Sequence, residues 1–169
     1  GWAINRPVPT DLYFYSENKN QPIEILLNGK PIQIIPEKGY ISIEREWKKD
    51  DKVELKLPME IRKVLANAQV EDDKAKMALE RGPIVFCLEA ADQPDKLVFD
   101  KYIPKNAELK AEFRADLLNG ITVLKGTARK VQKTANGISE TDVPFMAVPY
   151  SVWNNRGAGE MAVWIPYKS

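Results

Sequence analysis

The sequence predicts an all-β chain of antiparallel β-sandwich type with little helix, and three observations carry that expectation. Apolar and polar residues alternate with a period of two along most of the chain. Asn-Gly pairs occur at 28–29 and at 136–137, the first between two such runs. Only one short stretch has the composition of a helix. Alternation sends successive side chains to opposite faces of a strand, so one face can be buried while the other stays in water.

Each element can be justified in order. "PIEILLNGKPIQII" (22–35) sets Ile23, Ile25 and Leu27 on one face and turns at Asn28-Gly29. Both turn residues tolerate positive φ, which makes the pair a strong hairpin signal. "GYISIEREWKKDDKVELKLPM" (39–59) alternates Ile41, Ile43 and Trp47 with Ser42, Glu44 and Glu46, then turns through Lys48 to Lys52. It resumes at Val53, Leu55 and Leu57, so this part of the chain reads as an antiparallel meander. In "EIRKVLANAQVEDDKAKMALERG" (60–82) the first half reads as a strand. The acids of "EDDKAKMALE", followed by Ala, Lys, Met and Leu, predict a short helix ended by Gly82-Pro83. "PIVFCLEA" (83–90) is a continuous apolar run of strand length, as expected of a strand buried on both faces. Residues 92–110 are loop-like around Pro94 and Pro104, 120–131 alternate again, and 134–142 are turn material. Two apolar strands, 145–153 and 160–165, close the chain around a polar, glycine-containing connection.

Composition excludes several kinds of function. Hydrophobic residues make up 44% of the 169 residues and charged residues 29%, enough apolar material for a core. Lys and Arg number 25 against 24 acidic residues, with no basic block, so nucleic acid is not an expected partner. No apolar run approaches the roughly 18 residues of a membrane-spanning helix, so no membrane partner is expected. "GWAINRPVP" has neither a charged leader nor a hydrophobic stretch. The chain has no histidine, which removes Ser-His-Asp and Cys-His catalysis. Its one cysteine, Cys87, can neither form an internal disulfide nor hold zinc alone. There is no Walker A loop and no GxGxxG; "RGAGE" (156–160) lacks the context of a phosphate loop. Any chemistry would have to come from carboxylates, tyrosines or lysines.

Alternation puts Cys87 and Glu89 on one strand face about 7 Å apart, too far for a direct hydrogen bond. Nothing nearby is electropositive, so Cys87 reads as a small buried hydrophobe. Glu44 and Glu46 share a face too, yet glutamate on the wet side of a strand is ordinary. Asp72 and Asp73 read as helix-start residues. The most site-like stretch is Trp153 followed by Asn154, Asn155 and Arg156, an aromatic ring beside hydrogen-bonding groups. Tyr13 and Tyr15 in "DLYFY" share a face if extended. These six residues are the candidates for a carbohydrate contact or a domain interface; no catalytic and no metal residues are expected.

Five stretches occur in order: "GWAINRPVPTDLYFY", "LLNGKP", "GYISIEREWKKDDKVELKLPM", "MALERGPIVFCLE" and "PYSVWNNRGAGEMAVWIP". Together, from Trp2 to about Pro166, they resemble the C-terminal part of glycoside hydrolase family 127, the β-L-arabinofuranosidase-like proteins once grouped as domain-of-unknown-function family 1680. The resemblance implies a much longer parent with an N-terminal (α/α)6 barrel followed by two β-sandwich domains, the second inserted into the first. It also implies that a zinc-bound cysteine thiolate and a glutamate do the catalysis in that barrel, at positions absent here. Cys87 does not match that nucleophile, so no cofactor is expected in this chain.

On this resemblance, residues 1–60 plus 145–169 form a first, incomplete sandwich and 61–144 the inserted second one. An exposed strand edge follows near the N-terminal strands, covered by another chain or blunted by lysines. The expected function is a non-catalytic scaffold of a glycoside hydrolase, partnered by its own barrel. The alternative is a carbohydrate-binding module acting through Trp153 and the polar turn after it. Homo-oligomerisation through the open edge would add a further partner. The resemblance suggests a bacterial protein, periplasmic or cytoplasmic, without deciding the compartment.

Overall fold

The computed structural model describes residues 11–17, 22–33, 35, 37 and 40–168. "GWAINRPVPT", Ile34 and Gly39 of the runs quoted above lie outside the described residues. The strands in chain order are β1 (Tyr13–Tyr15), β2 (Glu24–Leu27), β3 (Lys30–Pro31), β4 (Val53–Lys56), β5 (Ile61–Ala66), β6 (Lys76–Arg81) and β7 (Ile84–Glu89). They continue with β8 (Lys101–Pro104), β9 (Lys110–Arg114), β10 (Ile121–Thr134), β11 (Gly137–Pro149), β12 (Met161–Ala162) and β13 (Ile165–Lys168). Among the described residues, short 3-10 turns at Glu71–Asp73, Ala90–Asp92 and Tyr150–Val152 interrupt them. The all-β expectation holds, and no helix among the described residues is long and apolar enough to cross a membrane.

The sandwich expectation gives way to a barrel. Strands β6, β13, β8, β10, β11 and β7 pair in that order, and β7 pairs back to β6. The ring is mixed, because β13 runs parallel to β8, with Tyr167 opposite Ile103. Closure works by sharing edges. β5 takes one side of β6, leaving the other to β7 at Leu79 to Arg81 and to β13 at Met77 and Lys76. β10 likewise passes from β9, ending at Lys125, to β8, beginning at Arg129. A closed sheet has no free edge, which removes the open ladder that invites aggregation.

Met77, Leu79, Phe86, Leu88, Ile103, Leu124, Phe145 and Ile165 are buried together in the main core. A second, smaller core on the other face of β7 and β11 holds Cys87, Val123 and Val148. β1 adds to β5 outside the ring. β3, β2 and β4 make a separate three-stranded sheet. Its polar face carries the Lys52–Glu54 and Lys56–Glu24 ion pairs, and Lys30 and Pro31 stand on its outer strand β3.

Other expectations change in instructive ways. The helix predicted in 71–80 is one 3-10 turn followed by β6. Helix-forming residues are overridden because Met77 and Leu79 fill the core and β6 is paired on both sides. Ala75, at φ 55°, breaks the turn from the strand. Residues 41–46 keep their alternation, with Ile41, Ile43 and Arg45 partly buried and Ser42, Glu44 and Glu46 exposed, yet no ladder pairs them. The loop-like 92–110 contains the buried strand β8. Within residues 145–168, β11, β12 and β13 pair with β6, β7, β8 and β10. Their apolar side chains Phe145, Ala147, Ala162 and Ile165 belong to the main core.

Candidate functional site

The outer face of β7 carries Val85, Cys87 and Glu89 in alternation, and the segment after β11 folds over it. Cys87 is fully buried between Val123 and Val148. Burial, and next the nearby carboxylates of Glu89 and Asp92, push its thiol up to about 12. A nucleophile needs the opposite setting, so Cys87 is a packed strand residue, as its neighbours in sequence suggested.

After the turn at Tyr150–Val152 the chain reverses through Asn154 (φ 62°) and Gly157 (φ 102°), both left-handed. The Asn154 backbone N–H donates to Glu89 Oε1 at 3.1 Å. The Asn155 side-chain amide donates to the Val152 carbonyl at 2.9 Å. Arg156 donates to Glu89 Oε2 at 2.5 Å and to both carboxylate oxygens of Asp92. Glu160 closes the segment by accepting the backbone N–H groups of Val98 and Phe99 at 2.5 and 3.0 Å. The Asn155 amide and the Arg156 guanidinium, two of the groups that made this stretch look like a binding site, are thus turned to holding the loop.

Its aromatic residues remain available. Trp153 and Tyr150 are 36% and 44% exposed and lie nearly parallel, 21° between planes and 6.2 Å between centroids. Tyr150 also lines a shallow trough with Val85, Met161, Val163 and Trp164. On the far side, Trp164 packs on Tyr13 at 5.2 Å.

The six candidate residues therefore do not form one site. Tyr13 and Tyr15 do share the half-buried face of β1. Tyr13 reaches the trough through Trp164, and its hydroxyl donates to Asp73 at 3.4 Å. Tyr15 instead donates to Glu80 at 3.1 Å, with the Arg62 guanidinium 4.8 Å from its ring centroid. Burial raises both the Tyr15 hydroxyl and the Glu80 carboxyl above their ordinary ranges. Sequence reasoning missed Glu80, Tyr150 and Trp164. The two aromatics stand in the closing motif, but no local pattern says that residues of β7 and β1 come up beside them.

Among the described residues no three His, Cys, Asp or Glu side chains are placed to hold a metal. The one thiol is protonated and enclosed.

Comparison with known proteins locates this architecture. Residues 61–166 match the profile of the glycoside hydrolase family 127 C-terminal domain. Residues 6–59 match that of the β-L-arabinofuranosidase GH127 middle domain. The chain is 30% identical over 157 residues to a non-reducing end β-L-arabinofuranosidase of Bifidobacterium longum, covering 83% of this chain and 23% of that protein. A solved GH127 β-arabinofuranosidase superposes with a TM-score of 0.92 at 34% identity, over 99% of this chain and 26% of its own. A GH127 β-L-arabinofuranosidase from Geobacillus stearothermophilus T6 gives 0.80 at 36% identity, over 92% of this chain and 26% of its own. The chain thus spans about a quarter of the length of these relatives.

Proposed function

Because the chain belongs to glycoside hydrolase family 127, we propose that it is a non-catalytic accessory region of a glycoside hydrolase similar to the β-L-arabinofuranosidases. It supports an (α/α)6 barrel carried elsewhere in a longer chain, and the zinc-dependent cysteine chemistry of the family belongs to that barrel. The observation behind this reading is coverage: a whole β architecture aligns over 99% of this chain with only 26% of a solved family member. The residues here agree with it, since the one thiol is held at about 12 and Glu44 and Glu46 sit exposed on an unpaired stretch.

The own barrel, rather than a second copy, is the partner we infer. Lys30 and Pro31 on β3 and Lys56 on β4 blunt the outer strands of the small sheet against pairing between copies. The test is release of arabinose from an aryl β-L-arabinofuranoside by the purified chain, with and without added zinc. No turnover above the blank is expected. Turnover that follows this chain through repeated chromatography would overturn the reading.

A carbohydrate contact through Trp153 is the second reading, and the exposed Tyr150–Trp153 pair is the observation in its favour. Sugar recognition also needs outward-facing donors and acceptors, and Asn155 and Arg156 are turned to the protein's own groups. Calorimetric titration with arabinose and arabinan-derived oligosaccharides is expected to give no saturable heat. Heat that disappears in Trp153→Ala would establish the module instead.

A further inference from the structure

We propose that Asn136 is a site of spontaneous covalent modification. The Gly137 backbone nitrogen cyclises onto the Asn136 side chain, and water opens the ring to aspartate or isoaspartate. Asn-Gly pairs stand at 28–29, 119–120 and 136–137, and glycine puts no side chain in the way of that attack. The sequence makes the three equivalent, and the fold separates them.

Asn28 is pinned by its own side chain. Its amide donates to Asp51 Oδ1 at 2.8 Å, and its Oδ1 accepts the Lys52 backbone N–H at 2.8 Å. Turning Asn28 Cγ toward Gly29 breaks both bonds. Asn119 is restrained through its neighbours instead. The Gly120 N–H donates to the Leu117 carbonyl at 2.9 Å, and Leu117 packs against the Cys87 core. Gly120 also lies under the Phe113 ring, which a Cβ there would meet at 3.1 Å. Freeing the Gly120 nitrogen therefore disturbs packing as well as a hydrogen bond.

Asn136 stands at the tip of the β10–β11 hairpin, where every residue from Gln132 to Ile138 is exposed. The side-chain bond at this tip runs from Thr134 Oγ1 to the Gly137 carbonyl at 3.1 Å and leaves the reacting atoms alone. Gly137 pairs with Thr134, the last pair of the ladder. Opening that pair uncovers no packed apolar surface, and local openings cost least where such contacts are few.

The chemistry needs water alone. The Gly137 nitrogen gives up its proton and bonds to Asn136 Cγ. The Cγ–Nδ2 bond breaks, and Nδ2 leaves with a proton as ammonia. Water then adds to one of the two carbonyl carbons of the resulting succinimide. Addition at Cγ leaves aspartate, and addition at the main-chain carbon leaves isoaspartate, with the chain routed through the former side chain. Either product puts a negative charge where Asn136 was neutral.

The test incubates the intact chain at pH 8 and 37 °C, native and in urea, and follows all three asparagines by mass-spectrometric peptide mapping. In the native protein Asn136 is expected to convert at least about five-fold faster than Asn28 or Asn119, because its tip opens most readily. In urea the three rates are expected to agree within about two-fold, since these restraints are lost with the native structure. An isoaspartyl methyltransferase should find its acceptor in aged native protein and find almost none in aged Asn136→Ser. Native conversion of Asn28 or Asn119 as fast as that of Asn136 would overturn the proposal. So would an Asn136 that converts in urea and stays intact in the native protein. Equally spread rates in urea are part of the claim, and a five-fold lead of Asn136 there would also overturn it, placing the selection in local sequence.

Discussion

Arg156 and Glu89 stand 67 residues apart in sequence and meet at 2.5 Å between Nη2 and Oε2. The same guanidinium holds Asp92, and the two carboxylates retain only 5% and 2% of their side-chain exposure. A single planar fork thus pairs with two buried carboxyl groups and fixes the 153–160 loop to the end of β7. Arg156→Met should cost about 3–5 kcal/mol, because removing one partner leaves buried charge without compensation. Arg156→Lys should recover only part of this, having no fork. Urea unfolding followed by tryptophan fluorescence measures both. A loss below about 1 kcal/mol in Arg156→Met, the range of an exposed pair, would show that the clamp is not structural.

A second ion cluster predicts a pH dependence. Lys101, with 1% side-chain exposure, donates to Asp95 at 3.0 Å and to the Leu97 carbonyl at 2.7 Å, and Lys130 reaches Asp95 at 2.7 Å. Burial pushes the Asp95 carboxyl up, but the hydrogen bonds from Lys130 and Lys101 outweigh it and hold it well below the usual carboxylate range. A depressed folded pKa means that the unfolded chain binds the proton more readily. The stabilisation is therefore complete above the unfolded pKa of about 3.9. It is lost as pH falls from there through the folded value. Asp95→Asn should be less stable than wild type at pH 7, with the difference shrinking between pH 4 and pH 2. A difference that stays constant over that window would contradict the assignment.

What could be read from the sequence was local. Asn28-Gly29 was legible as a hairpin because positive φ is a property of those two residues, and they adopt 49° and 77°. "PIVFCLEA" was legible as a buried strand because apolar length and its flanking breakers are also local. β6 was not, since "KAKMALER" has helical composition and becomes a strand only through partners on both edges. Ring closure depends on Tyr167 meeting Ile103 in parallel, and no short pattern announces such a pairing. The same limit applies to the site. Trp153 stood out beside its polar neighbours, but that Arg156 faces inward depends on carboxylates 64 and 67 residues away.

Gly126 illustrates a constraint with no signal in the alternation. It lies opposite Phe145 in the β10–β11 ladder, between the parts of β10 that pair with β9 and β8. A Cβ built there would come within 2.9 Å of both Phe145 Cε1 and Leu109 Cδ2, and 3.1 Å from the Glu108 carbonyl oxygen. Gly126→Val should destabilise the protein by about 1–3 kcal/mol through overpacking, despite the better strand propensity of valine. Gly137, where a Cβ would meet nothing, is at φ 121°, so substitution there strains the backbone without any clash. Comparing thermal midpoints of Gly126→Val and Gly126→Val/Phe145→Leu separates the two causes. A partial rescue by the smaller residue at 145 is expected, and its absence would mean that the Phe145 contact is not what limits the site.

Cys87 supplies the last prediction. Its side chain is 0% exposed, and burial together with Glu89 and Asp92 pushes the thiol up to about 12. The reactive species is the thiolate, so at pH 8 the folded protein offers neither the ionised sulfur nor a path to it. Native protein should resist Ellman's reagent over hours and react with one equivalent of it in urea. Because the site is an apolar one between Val123 and Val148, Cys87→Ala should fold and cost about 1 kcal/mol or somewhat more, the scale of a small cavity. Cys87→Asp should be far worse, since it buries an unpaired charge beside Glu89 and Asp92. Rapid native labelling at pH 8 would mean that the thiol is exposed and ionised, and would reopen the question of chemistry at this strand.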